Sequence, residues 1–147
     1  MRTYPERPWV GIGVVVHKDE DILLIKRAKA PYKGAWSLPG GAQHIGETVI
    51  EGAKREVFEE TGIYTTQHHF IDIIDSIHYD KDKRVEYHYT LIEISCLYQK
   101  GMLAANDDAL CAKWVPYSQI NRYNLREDTL RIITQSYRSR NASLTEE

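Results

Sequence analysis

The alternation of apolar and polar positions divides this chain into short extended runs, one central helix, more extended runs and a closing helix. Residues 9–16 are rich in β-branched side chains and read as a buried strand, with Gly11 and Gly13 marking a bulge or a close backbone approach. The polar turn 17–21 leads into the apolar run 22–25, so the pair reads as a hairpin, and Lys26 and Arg27 close its second strand. Residues 30–34 are loop, and 36–38 form a short strand that leads through Pro39 into a glycine-rich turn starting at Gly40 and Gly41, which feeds the helix that follows. Thr48-x-x-Glu51 is a capping-box signal that opens a helix, and Gly62 stands where a left-handed glycine would end it.

Beyond that helix, residues 70–74 read as a strand continuing irregularly to 79, then 80–83 as a polar turn and 85–98 as a long alternating strand. Loops are marked at Gly101 and at 106–108, and a short strand follows over 112–116. Asn124-x-x-Glu127 resembles a second N-cap, opening a helix over about 125–139 whose Leu130, Ile133 and Tyr137 share a face that packs on the sheet. The tail from about 141 is read as frayed. Strand, helix, strands and helix in that order predict a mixed sheet between helices, in one domain spanning residues 1–147.

Composition narrows the class without naming a function. Apolar residues are 42% and charged residues 27% of the 147, as in an ordinary globular chain with a proper core. A net charge of −2 leaves no basic footprint for nucleic acid or anionic membrane. With no long apolar run and no leader-like start, the chain reads as cytoplasmic. Cys96 and Cys111 lie in apolar stretches without CxxC spacing and read as reduced thiols.

The charge pattern of the first helix changes the picture. Glu56, Glu59 and Glu60 stand at i, i+3 and i+4 and share an arc of about 100°, although like charges at that spacing repel. A solvated acidic face with Lys54 and Arg55 as counter-charges is the bland alternative. Gly52 lies on the same arc, where glycine costs about 1 kcal/mol relative to alanine, and a bare patch there suits something that approaches the backbone. Clustered hard oxygens suit Mg²⁺ or Mn²⁺ held together with substrate phosphates.

The same residues carry a resemblance. Gly41-x5-Glu47-x7-Arg55-Glu56-Val57-x-Glu59-Glu60-x-Gly62-Ile63 resembles the Nudix box, G-x5-E-x7-R-E-U-x-E-E-x-G-U with U aliphatic, at every fixed position. The family implies an α/β/α sandwich with a mixed central sheet, which is what the hydrophobic pattern predicts. It also implies Mg²⁺-dependent hydrolysis, with Mn²⁺ as a substitute, of a nucleoside diphosphate linked to another moiety. By that resemblance Glu56 and Glu60 are metal ligands, Glu59 stands close behind, and the backbone carbonyl of Gly40 is a further ligand. Glu47 either holds an outer-sphere water or stabilises the positive end of the helix. Arg55 positions carboxylates, and its spacing allows a pair with Glu59 or with Glu51.

The family takes its general base from a box glutamate or from a late loop. The late candidate is Asp108, although the Asp107-Asp108 pair also suits a loop cap; Glu86 and Glu93 are weaker alternatives on the long strand. Arg27 is a candidate for phosphate neutralisation, and the Gly40-Gly41 pair lets a bound group approach the backbone. Among ten tyrosines and three tryptophans, the residues expected around the sheet opening are Tyr32, Trp36, His78, Tyr79 and His88. The proline of the family's ADP-ribose signature is missing after the box, where Tyr79 stands instead. The segments around Trp36–Gly41 and Asp107–Val115 nevertheless look similar to compact bacterial, MutT-like chains of the ADP-ribose pyrophosphatase type.

The expectation is therefore an enzyme acting on ADP-ribose or another nucleoside diphosphate sugar. The alternatives are a nucleoside triphosphate pyrophosphohydrolase clearing oxidised nucleotides, and a non-catalytic nucleotide sensor. The partner is a small molecule rather than nucleic acid or membrane. Homodimers are frequent in the family, and the apolar N-terminal strand could take part in one.

Overall fold

The computed structural model describes residues 2–145. Among them seven strands form one mixed sheet: β1 (Trp9–Lys18), β2 (Asp21–Arg27), β3 (Trp36–Ser37), β4 (Gly40–Ala42), β5 (Tyr64–Tyr79), β6 (Val85–Lys100) and β7 (Ala109–Pro116). The main order is β3-β2-β1-β6-β5, with β4 added to β1 and β7 to β2. β1 and β6 run parallel, and the other pairings are antiparallel. Helix α1 (Val49–Thr61) covers one face and α2 (Glu127–Thr145) the other, which is the expected α/β/α sandwich.

Alternation along β1 explains both layers. Ile12, Val14 and Val16 point to α1, where Ala53 and Val57 meet them. Val15 points to the α2 face and joins Ile74, Ile132 and Ile133. Strand side chains change face at every residue, so a strand buried on both sides reads as an unbroken apolar run.

Helix α1 begins and ends where its sequence predicts. Thr48 Oγ1 accepts from the Glu51 N–H at 3.1 Å, and Glu51 Oε1 accepts from the Thr48 N–H at 3.0 Å, closing the capping box. Gly62 takes φ 74° and donates its N–H to the Phe58 carbonyl at 2.8 Å, a conformation that costs glycine nothing.

Four local expectations change. Gly40–Ala42, read as part of a turn, is strand β4, with Gly13 opposite Gly40 and Ile12 opposite Gly41. β5 starts at Tyr64 rather than 70; its register shifts at several points, so the polar run Thr65–His69 pairs with β6 without any clean alternation. Asn124 does not cap the second helix. It takes a left-handed φ of 50° at the end of a 3-10 helix, Tyr117–Tyr123, and α2 opens at Glu127. α2 runs to Thr145, past the point where the tail was placed, and residues 146 and 147 of that tail lie outside the described residues. Cys96 and Cys111 are both free thiols. Among the described residues no helix is long and apolar enough to cross a membrane.

Candidate active site

The box residues meet where α1 passes beside β4. Gly41 presents no side chain, and a Cβ built there would lie 2.5–2.8 Å from the Glu56 carboxylate. One residue earlier, the Gly40 N–H donates to Glu60 Oε1 at 2.8 Å. The double glycine is therefore flanked by two carboxylates from successive turns of α1.

Arg55 organises the other acids. Its Nη1 donates to Glu56 Oε1 at 2.7 Å and to Glu59 Oε2 at 3.2 Å. Its Nε and Nη2 donate to both oxygens of Glu47 at 2.8 and 2.7 Å, and Nη2 also reaches the Ala42 carbonyl at 3.0 Å. Of the two pairings open to Arg55, Glu59 is therefore realised, and Glu51 is occupied with the cap. Glu47 additionally accepts the His44 N–H at 2.8 Å. With both oxygens engaged by Arg55, Glu47 anchors that arginine instead of facing the cavity.

These bonds set the electrostatics. Hydrogen bonds from Arg55 hold the Glu47 carboxyl down at about 2. Glu56 is pushed above the usual carboxylate range by burial and by Glu59, with Arg55 opposing. Glu60 is pushed up to about 8, first by burial and then by the Glu56 and Asp108 charges, against the pull of the Gly40 N–H. Burial thus disfavours the charged form of both Glu56 and Glu60, and Arg55 offsets this only for Glu56.

The three carboxylates share the flank of α1 expected for them, yet Arg55 holds Glu56 and Glu59 while the Gly40 N–H holds Glu60, and among the described residues no three acids or histidines converge as a ready-made metal cluster. The donor set nonetheless fits a hard divalent ion: carboxylates, a nearby backbone carbonyl, and a cradle that any side chain at position 41 would fill. Gly52 has a different explanation from the one its position suggests. A Cβ there would lie 2.5 Å from Ile12 Cδ1 and 2.9 Å from Glu47 Oε1, so the bare patch accommodates the chain's own core and not a ligand.

Beside the double glycine opens a cavity of about 200 Å³. Gly40, Gly41 and Glu60 form one part of its wall, and Arg27, Lys29, Tyr32, Trp36 and Asp108 form another. Arg27 is fixed by donating from Nε to the Pro31 carbonyl at 2.8 Å. Trp36 stands edge-on to Tyr123, with ring centroids 5.3 Å apart. Asp108 pairs with Lys29 at 3.0 Å, and the Asn106 N–H beside its loop donates to the Glu60 carbonyl at 2.8 Å. The late loop is thus tied to the end of the box helix.

Tyr79 does not join the site. It is 62% exposed at the end of β5, three residues from the cavity-lining Ser76 and therefore on the opposite face of the strand. His88, too, is not part of the wall; Tyr32 takes the aromatic place and hydrogen-bonds His78 Nδ1 at 3.3 Å.

Glu93, a minor candidate in the sequence, and Tyr89 and Arg126, which the sequence does not mark, complete the far wall. Glu93 is 6% exposed instead of solvated on the strand, and Gly13 lies opposite it on β1. The signal available was the pair Gly11 and Gly13. They form no bulge; they make room for Leu91 and Glu93.

The model of the NUDIX domain matches residues 7–135. Over 102 residues the chain is 39% identical to the ADP-ribose pyrophosphatase of Methanocaldococcus jannaschii, which covers 69% of this chain and 58% of that protein, so it spans under two thirds of that relative's length. It is 30% identical over 135 residues to phosphatase NudJ of Escherichia coli, with 90% and 85% covered. The crystal structure of a MutT Nudix hydrolase from Burkholderia pseudomallei superposes with a TM-score of 0.75 at 28% identity, covering 88% of this chain and 98% of that one. Fold, acid-flanked backbone and relatives define the class as hydrolases of phosphorus-containing anhydrides. The chain belongs to the Nudix family, whose hydrolases are divalent-metal dependent.

Proposed function

We propose that this protein is a Mg²⁺-dependent diphosphatase acting on ADP-ribose or a related nucleoside diphosphate sugar, with Mn²⁺ able to substitute. The observation that supports it best is the double glycine held between the Glu56 and Glu60 carboxylates at the edge of a cavity. The name of the Methanocaldococcus relative favours ADP-ribose.

Glu56, Glu60 and the Gly40 carbonyl would hold the ion, with Glu59 beside them. Bound there, it would neutralise diphosphate charge and lower the pKa of a bound water. Arg55 keeps Glu56 and Glu59 aimed from one side, while Glu47 fixes Arg55 from the other. Arg27 and Lys29 would act as counter-charges to the diphosphate, and Asp108, which lines the same cavity as Glu60, would take the proton of the attacking water. Water adds to one phosphorus, the bridging P–O bond breaks, and AMP and ribose 5-phosphate leave.

Incubation with Mg²⁺ should release AMP and ribose 5-phosphate from ADP-ribose. Pyrophosphate released from a nucleoside triphosphate, or phosphate from a monoester, would instead place the activity elsewhere in the class. Binding with no turnover of any of these under Mg²⁺ or Mn²⁺ would mean a sensor. Glu56→Gln should abolish turnover without lowering the unfolding midpoint; an active variant would refute the assigned role.

A further inference from the structure

The far wall of the cavity contains a group that hydrolysis does not use. Glu93 Oε2 is the one buried side-chain polar atom without a hydrogen-bond partner among the described residues. Buried polar atoms are nearly always paired, because an unmet carboxylate oxygen forfeits its water without replacement. The missing partner can come from a ligand, since Glu93 lines the cavity.

Its surroundings restrict what that ligand group can be. Glu93 projects over Gly13, where any Cβ would overlap its carboxylate, so the strand has left space for the acid to lie across it. Tyr89 and Leu91 precede it on the same face of β6, and the rings of Tyr32 and Trp36 line the same cavity. A phosphate would be repelled by this acid, whereas a flat ring with an N–H donor suits both the walls and the unmet oxygen. The charges that act on Glu93 come from Arg126, Asp128, Arg131 and Asp72, with burial the larger effect, and not from the box glutamates.

We propose that Glu93 selects the base of the substrate, its carboxyl oxygen accepting a hydrogen bond from the exocyclic amine of an adenine seated in the cavity. The proposal rests on the reading that the substrate carries an ADP moiety. It divides the site in two: Glu60 and the double glycine hold the diphosphate end, and Glu93 reads the base.

The test is calorimetric binding to the full chain in a chelator, so that nothing turns over. The ligands are ADP-ribose, its analogue with the adenine amine replaced by hydrogen, and its analogue lacking the 2′-hydroxyl of the adenosine ribose. Wild type should lose about tenfold or more in affinity when the amine is removed. Glu93→Gln, whose amide oxygen still accepts, should keep that difference, and Glu93→Leu should bind ADP-ribose and the amine-free analogue alike.

The wild type alone can overturn the proposal, by showing no loss with the amine-free analogue or a loss that follows the missing hydroxyl instead. Amine dependence retained in Glu93→Leu would overturn it too. The leucine variant should also melt higher than wild type, because it removes an unpartnered buried acid. Turnover of ADP-ribose with Mg²⁺ is measured in parallel. Turnover without amine dependence overturns the Glu93 assignment alone. Amine-dependent binding without turnover upholds Glu93 and overturns the hydrolytic reading.

Discussion

Helix α2 is docked through a buried polar chain whose strength should depend on pH. His17 Nε2 on β1 lies 2.6 Å from Ser136 Oγ on α2; Ser136 donates to Ser95 Oγ on β6 at 2.7 Å, and Arg140 Nε donates to the same Ser95 oxygen at 2.9 Å. Burial, with smaller contributions from Arg140 and His69, pulls His17 down to about 4 from an ordinary value near 6.5. The folded state thus holds His17 neutral where the unfolded chain would protonate it. Its contribution is fully present above about pH 6.5 and is lost as pH falls towards 4, because the unfolded state binds the extra proton.

Working the populations through, His17 should remove about 2 kcal/mol of stability between pH 7.5 and 5, and about 3 kcal/mol below pH 4. The raw pH curve will not show this alone. Glu60 and Glu93, raised to about 8 and about 7, work in the opposite sense and gain stability as pH falls. The informative quantity is the difference between wild type and His17→Gln, which keeps a polar group and removes the titration. Urea unfolding at pH 7.5, 6 and 5 should give two curves that converge on acidification by about 2 kcal/mol. Parallel curves would refute the reasoning, and would mean that His17 is not buried neutral against α2.

Two further outcomes follow from the box itself. Gly41→Ala should lower turnover about a hundredfold while the chain stays folded, because the new Cβ displaces the Glu56 carboxylate by the order of an ångström; steady-state kinetics beside a thermal melt checks it, and wild-type turnover would sink it. Thr48→Ala should cost about 1 kcal/mol in denaturant unfolding by removing the acceptor of the Glu51 N–H, and no change in midpoint would show the cap to be idle.

Helix α1 was legible because its determinants are local. Thr48, Glu51 and Gly62 state its limits, and the spacing of Glu56, Glu59 and Glu60 states its acidic flank, within one stretch of chain. What the flank meets was not legible. Nothing near Gly52 shows that Ile12 reaches across from β1 to fill the space, and nothing near Glu47 shows that Arg55 takes both of its oxygens. The start of β5 was hidden because Thr65–His69 is polar and irregularly registered, and its backbone pairing with β6 needs no apolar pattern. Tyr79 lies outside the cavity wall for a related reason: an offset counted along the chain ignores strand alternation, which puts its side chain on the face of β5 opposite the cavity-lining Ser76.

Glu93 shows the same limit from the opposite side. Its parity with Tyr89 and Leu91 could be counted along β6, but its burial depends on a glycine in β1, a strand that pairs with it only in the folded sheet. The two groups of acids that flank the cavity also come from different layers. Glu56 and Glu60 come from α1, whereas Tyr89, Leu91 and Glu93 come from the β6 face that turns towards α2. If Glu93 reads the base as proposed, substitutions on that face should alter which base is held without moving either box carboxylate, because the β6 backbone that carries them is pinned by its parallel register with β1. A hydrolytic motif written in one turn and one helix is therefore compatible with many substrates, and their selection falls to side chains that the motif neither contains nor constrains.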